Sequence, residues 1–142
     1  MSATMTYGDE VREDWPDWVS EEFERDGQNG CVGTTLVSET DRVRVWEIRL
    51  QPGERIGFHR HVLDYFWTAI TPGRARSHMG GGRTMEREYR TGETQHESYG
   101  PGQGKVHDLQ NTGPTELIFT TVEFKDSANE PISVPDSVRL AR

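Results

Sequence analysis

The sequence is poor in cysteine, in lysine and in long apolar stretches. Cys31 is its single cysteine, so no disulfide can form within the chain, and a reducing compartment is compatible with it. No apolar run approaches the roughly 20 residues that a membrane-spanning helix needs. The first residues do not form a basic segment followed by an apolar one, so we expect no secretory signal peptide. A cytoplasmic protein without a membrane partner is therefore predicted.

Basic residues are also too few to favour nucleic-acid binding. The chain has 16 Lys and Arg against 24 Asp and Glu, which gives a formal net charge of −8. Proteins that bind nucleic acids through the phosphates need a basic surface, so a nucleic acid is not an expected partner. Lys105 and Lys125 are the two lysines of the sequence.

The 142 residues suffice for one domain with a real core, and their composition divides the chain into three parts. Residues 1–30 are predicted to form an acidic N-terminal arm, with a short helix over 17–25 that Gly27 ends. This arm either covers the domain or a neighbouring subunit, or acts as an acidic interaction motif. Residues 31–125 are predicted to form a β-barrel domain, and residues 126–142 an extended tail.

Within the central part, apolar residues recur at every second position, which is typical of β-strands. The predicted strands are 33–37, 43–50, 56–61, 65–70, 74–79, 83–90, 106–109 and 116–124. Residues 95–104 are predicted to be a loop, and Trp67 and Phe119 are expected in the core. Many short strands with close turns and little helix predict an all-β sandwich or barrel.

Two histidines in one predicted strand suggest a metal site. His59 and His61 stand two positions apart, so both side chains are expected on the same face of the strand. Metal–nitrogen bonds of about 2.0–2.1 Å require such convergence. His107, far downstream, is a third candidate ligand. The alternative is that the pair lies on the surface of an edge strand.

Two motifs then resemble a known family, the cupins, which are double-stranded β-helix (jelly-roll) proteins. The first motif comprises Gly53, His59, His61 and Gly73, and the second comprises Gly104, His107 and Asn111. The resemblance covers roughly residues 43–125 and is nearest to small single-domain cupins, some of which carry a β-alanine-degradation label. Gly102 departs from the pattern, because the family often has proline there.

The resemblance implies that His59, His61 and His107 bind a divalent metal ion inside the barrel. Fe(II) is the first candidate, with zinc, nickel, manganese and copper as alternatives. Because a bare ion held by three neutral imidazoles keeps its full double charge, such a site favours an anionic ligand or lowers the pKa of a bound water.

The glutamate that usually completes a cupin metal site is absent from its slot, which falls at Tyr65 or Phe66. Tyr65 is therefore a candidate catalytic residue, as a fourth ligand, an orienting group or a proton donor. The alternative is a core tyrosine at the start of an apolar strand. Asp64 is the nearby carboxylate, and strand alternation predicts that it faces away from the histidines.

The expected function is that of a metal-dependent enzyme, dioxygenase-like or of Lewis-acid type, acting on a small anionic organic molecule. The alternative is a non-catalytic module that binds a small ligand. Small cupins commonly form dimers, so a homodimer is expected.

Three further basic positions each allow two interpretations. His78 shares a predicted face with Arg74 and Arg76, and these three form either an anion pocket above the metal or a solvated hairpin face. His96 either caps the site or is an ordinary loop histidine. Lys105, a predicted loop residue between Gly104 and His107, either steers acidic ligands or is an ordinary loop lysine.

Overall fold

The structure of the protein is a computed structural model that describes residues 15–141. The elements are α1 Asp17–Asp26, β1 Thr35–Glu39, β2 Val43–Leu50, β3 Arg55–His61, β4 Asp64–Ala69, β5 Gly73–Met79, β6 Arg83–Tyr89, β7 Thr94–Glu97, β8 Lys105–Asn111, β9 Leu117–Phe124 and a 3-10 turn at Asp136–Val138. The prediction about a signal peptide, and the first part of the predicted arm, lie outside the described residues. Among the described residues, no helix has the length and apolar character to cross a membrane.

Within residues 15–141, nine antiparallel strands form two sheets. The first sheet has the order β1-β2-β9-β4-β7, and the second has the order β3-β8-β5-β6. A common core joins them, because its buried residues come from both sheets: Ile48, Leu50, Ala69, Ala75, Leu109, Leu117 and Phe119. This arrangement confirms the predicted all-β jelly roll.

Alternate side chains of the strands point into the core, as the sequence pattern predicts. Along β2, Trp46, Ile48 and Leu50 are all buried, because every second side chain of a strand points to the same face. Trp67 and Phe119 meet edge to face in the core, with ring centres 5.5 Å apart. The core positions predicted for these two aromatic residues are confirmed.

Helix α1 covers the outer face of the four-stranded sheet. It begins after Pro16 and ends before Gly27, close to the predicted bounds. Val19 and Phe23 lie four positions apart and so share one side of the helix, where they pack against Phe58 and Val106 of the sheet. The described part of the arm therefore covers its own domain.

Several predicted boundaries are wrong, and two of them are informative. Thr94–Glu97 is strand β7 rather than loop, and it pairs with β4 at the edge of the five-stranded sheet. Its polar sequence hides it, because an edge strand with no buried apolar face shows no hydrophobic alternation. Strand β1 begins at Thr35 rather than at Gly33. At position 33, a Cβ atom would lie 2.7 Å from the Cβ atom of Trp46.

The C-terminal tail runs back along β1. Arg139 forms a parallel bridge with Leu36 and an ion pair of 2.7 Å with Glu39. The Ile132 carbonyl accepts a hydrogen bond of 2.8 Å from Arg44. The tail bends over residues 125–129 and forms a 3-10 turn at Asp136–Val138, so it is not extended throughout.

Candidate metal centre

The three predicted histidine ligands converge inside the barrel. His59 and His107 are direct partners across β3 and β8. The Nε2 atoms of His61 and His107 lie 3.2 Å apart, and the nitrogen atoms that the three residues offer all lie within 4.8 Å of one another. Among the described residues, this cluster of metal-ligating groups consists of these three histidines alone.

A β-bulge in β3 aims His59 at the interior. The register between β3 and β8 shifts before His59, so that Gly57 and Phe58 lie opposite the single residue Asp108. The extra residue turns Phe58 toward α1 and His59 toward the cavity. The Gly57 carbonyl accepts a hydrogen bond of 2.9 Å from His59 Nδ1, which fixes the proton there and leaves the Nε2 lone pair free.

Burial keeps the three imidazoles neutral. It lowers the pKa of His59 to about 4. Burial, reinforced by the neighbouring imidazoles, also lowers the pKa of His61 and His107 well below the ordinary histidine value. Three neutral nitrogen donors in a dry cavity are therefore available at neutral pH.

This donor set fits a divalent metal ion. Nitrogen atoms 3.2 Å apart, each about 2.0–2.1 Å from one ion, subtend an angle of roughly 100° at it, between tetrahedral and octahedral values. With the Nε2 atom of His61 turned toward His107, its Nδ1 atom is left to carry the proton, and that atom is buried without a hydrogen-bond partner among the described residues.

Tyr65 lies directly against the histidine cluster. Its ring stacks on the His61 imidazole, with centres 4.0 Å apart and planes 15° apart. Burial raises the pKa of its phenol, so the hydroxyl stays protonated and can donate a hydrogen bond. Asp64 faces away, as predicted, because its carboxylate accepts a hydrogen bond of 3.1 Å from the Tyr99 backbone.

Two cavities adjoin the histidines. The inner one, about 50 Å³, is lined by the three histidines, Tyr65, Val32, Ile48, Trp67, Tyr89, Leu109, Phe119 and Thr121. The outer one, about 250 Å³, shares Trp67, Tyr89, His107 and Leu109 with it. The outer cavity also includes Lys105, which is the first residue of β8 rather than a loop residue.

His78 lies on the opposite side of the sheet from the metal cluster. Its Nδ1 contacts the buried Asp108 carboxylate at 2.8 Å, under α1. Arg74 and Arg76 are exposed, and the inward position between them is Ala75. The predicted anion pocket is therefore wrong, because alternation along β5 places these three side chains outside the barrel.

His96 does not cap the site. It lies on the outer face of β7, where it is exposed and its ring centre is 5.4 Å from that of Phe66. The residues on either side of it, Gln95 and Glu97, line the outer cavity instead. Whether His96 caps the site or is an ordinary histidine depended on which face of this segment points inward.

Glu123 is a buried inward residue that the sequence reasoning missed. Its carboxylate accepts a hydrogen bond of 2.8 Å from the Trp46 indole, and burial raises its pKa to about 7. The signal was present, because alternation along β9 from the apolar Leu117 and Phe119 places Glu123 on the same face.

No protein-family model matches the chain, and no curated protein sequence matches it. Solved structures do match. A cupin domain from Bordetella pertussis is 28% identical, with a TM-score of 0.56 over 69% of this chain and 96% of that one. A protein with a double-stranded β-helix domain from Klebsiella pneumoniae is 30% identical, with a TM-score of 0.51 over 65% of this chain and 75% of that one.

A third structure supports the fold alone. An RmlC-like cupin family protein from Methanocaldococcus jannaschii is 18% identical, with a TM-score of 0.50 over 61% of this chain and 73% of that one. These neighbours do not show the narrower resemblance to cupins labelled for β-alanine degradation. With the sheet topology, they show that the chain belongs to the double-stranded β-helix proteins and has the cupin fold.

Proposed function

We propose that the protein is a metal-dependent cupin that binds a divalent cation through His59, His61 and His107 and acts on a small anionic organic molecule beside it. The observation that carries this proposal is the convergence of three buried imidazoles, two of them with Nε2 atoms 3.2 Å apart. Fe(II) is the first candidate ion, and zinc, nickel, manganese and copper are the alternatives.

The chemistry follows from the neutral donor set. A divalent ion bound there supplies a Lewis acid, and as Fe(II) it also supplies a centre for oxygen chemistry. The three imidazoles contribute no negative charge, so the site attracts an anionic group of the substrate. Tyr65, whose ring stacks on His61, offers a protonated hydroxyl as a hydrogen-bond or proton donor.

Elemental analysis tests the metal site directly. Protein purified without a histidine tag is compared with His59→Ala and with His96→Ala, which removes an exposed histidine on the outer face of β7. We expect about one equivalent of metal in the wild type and in His96→Ala, and a near-complete loss in His59→Ala. Equal, negligible metal in all three proteins contradicts the proposal.

A non-catalytic ligand-binding cupin is the second candidate function. It is favoured by the absence of a carboxylate from the histidine cluster, since Tyr65 occupies the slot of the usual glutamate and Asp64 is turned away. Oxygen consumption with keto acids, diketones and thiols separates the two. Thermal stabilisation by one of these compounds without turnover of any favours the binding module.

Assembly and location are parts of the same proposal. We expect a homodimer in the cytoplasm, as for other small cupins. Light scattering of the purified protein measures the mass, and a monomer at working concentration removes the dimer from the proposal.

A further inference from the structure

We propose that Lys105 anchors the carboxylate of a small monoanionic ligand with an apolar body in the outer cavity. This inference rests on the proposed function for its meaning, because the anchored molecule would be the substrate of the metal site. It names a ligand class and a specificity residue that the histidine cluster does not specify.

The position of Lys105 places a bound anion next to the metal cluster. Lys105 lies two residues before His107 on β8, pairs across the sheet with His61 and shares their inward face. Its Nζ atom lies 5.5 Å from the centre of the Tyr65 ring. Because His107 lines both cavities, a ligand held by Lys105 lies within the space that adjoins the metal ligands.

Lys105 also keeps donor capacity that the other cavity cation has lost. Arg87 contacts Glu93 at 2.6 Å and Gln95 at 3.1 Å. The nearest carboxylate oxygen to Lys105, on Glu97, is 3.9 Å from Nζ, which is longer than a hydrogen bond. An ammonium group with three donors can therefore accept a carboxylate without giving up a close partner.

The charges around Lys105 favour a monoanion over a dianion. Glu97 brings a negative charge close enough to repel a second anionic group, and the charge of Arg87 is already balanced by Glu93. A ligand with a single carboxylate gains the ammonium contact at the least electrostatic cost. A phosphate monoester or a dicarboxylate brings a second charge that Arg87, already paired with Glu93, is poorly placed to neutralise, so that charge would have to bind the metal ion instead.

Six residues give the cavity wall an apolar part, beside the polar Ser77 and Gln95. These six residues are Trp67, Ala75, Met79, Met85, Tyr89 and Leu109. The volume of about 250 Å³ is below the roughly 300–1,000 Å³ of pockets that hold drug-sized molecules. These walls fit a short aromatic or branched aliphatic body, and the methionines add flexible, polarisable surface against it.

Isothermal titration with benzoate, benzamide and phenyl phosphate tests the proposal on the full chain as purified with its metal. We expect benzoate to bind most tightly, and Lys105→Met to weaken it by about tenfold to a hundredfold, as for a lost hydrogen bond to a charged group. Lys125→Met removes the other lysine, which contacts Glu39 at 2.8 Å, and should bind benzoate like the wild type.

Labelling gives a second readout, because the chain has two lysines. Benzoate should slow reductive methylation of Lys105 and leave Lys125 unchanged, as measured by mass spectrometry. Benzoate binding that is equal in Lys105→Met and wild type overturns the proposal, and so does the absence of benzoate binding at millimolar concentration.

Metal content separates this failure from failure of the metal site. Lys105→Met should retain the metal of the wild type. If benzoate binding is lost in His59→Ala but unchanged in Lys105→Met, the carboxylate binds to the metal alone, and the Lys105 proposal fails while the proposed function stands. If no protein contains metal yet Lys105 still governs benzoate binding, the metal-dependent function fails and the anion site stands.

Discussion

The two faces of the four-stranded sheet differ in the charge of their polar side chains. Charged side chains on the outer face are paired with one another, whereas the histidines on the inner face are neutral. The outer face, under α1, holds a network of the ionisable residues Glu22, Arg55, His78 and Asp108. Arg55 donates to Glu22 at 2.7 Å and to Asp108 at 2.6 Å. Asp108 also accepts from the backbone and the ring of His78. Each charge of this network therefore has a partner of opposite sign.

The inner face holds the three clustered histidines with no carboxylate among them. Buried charges persist where they are paired, whereas neutral donors can take a cation from solution. His107 and Asp108 are consecutive residues of β8, so one strand serves both faces. The difference indicates that the outer network holds α1 to the barrel, and it supports the proposal that the inner cluster binds a metal ion.

Removing Asp108 should give the largest effect, because it breaks the outer network at its centre. Asp108→Ala leaves the Arg55 and His78 side chains without their buried acceptor, and we expect a loss of about 3–5 kcal/mol in the free energy of unfolding. Urea unfolding measures it. Glu86→Ala removes the exposed partner of Arg76 and should cost less than about 1 kcal/mol. A similarly small cost for Asp108→Ala would show that the network contributes little.

A metal ion should stabilise the fold only when the three histidines of the inner face are intact. At a free metal concentration of about 1,000 times Kd, ligand linkage adds roughly 4 kcal/mol to the stability of the wild type. His59→Ala should lose this gain, whereas His78→Ala should keep it despite a lower starting stability. Thermal unfolding with metal and with EDTA measures the shift. An equal shift in His59→Ala contradicts the assignment of the inner histidines.

Glu123 sharpens the comparison, because its hydrogen-bond donor is the neutral Trp46 indole and not a cation such as Arg55. Its pKa rises from 4.5 to about 7 on folding. Between these two pH values the folded protein holds a proton that the unfolded chain loses. The contribution of Glu123 to the free energy of unfolding therefore falls as pH rises from about 4.5 to 7, by about 3 kcal/mol in all.

The variant Glu123→Gln keeps an acceptor for Trp46 and removes the titration. It should match the wild type near pH 4.5 and exceed its stability by up to about 3 kcal/mol near pH 8. Urea unfolding at the two pH values measures the difference. An unchanged pH dependence in the variant would mean that Glu123 ionises in the fold without cost.

The sequence predicted what local periodicity and motif spacing encode. The alternation of β2 and the histidine spacing on β3 depend on the chain alone, and the structure contains both features. Which face of β5 or β7 points inward depends on pairing with distant strands, so His78 and His96 could not be placed from the sequence. The bulge before His59 and the start of β8 at Lys105 likewise depend on the register with partner strands.

Tyr65→Phe should have the smallest effect. It tests whether Tyr65 is a fourth ligand of the metal ion. The substitution keeps the ring that stacks on His61 and removes only the hydroxyl. Because the raised pKa keeps that hydroxyl protonated, we expect it to act as a donor and not as a phenolate ligand. Metal affinity should then fall less than about tenfold, and stability should change by about 1 kcal/mol. Competition with a chelator measures the affinity. A loss as large as that in His59→Ala would make Tyr65 a fourth ligand, and the inner face would then carry a negative charge of its own, like the outer one.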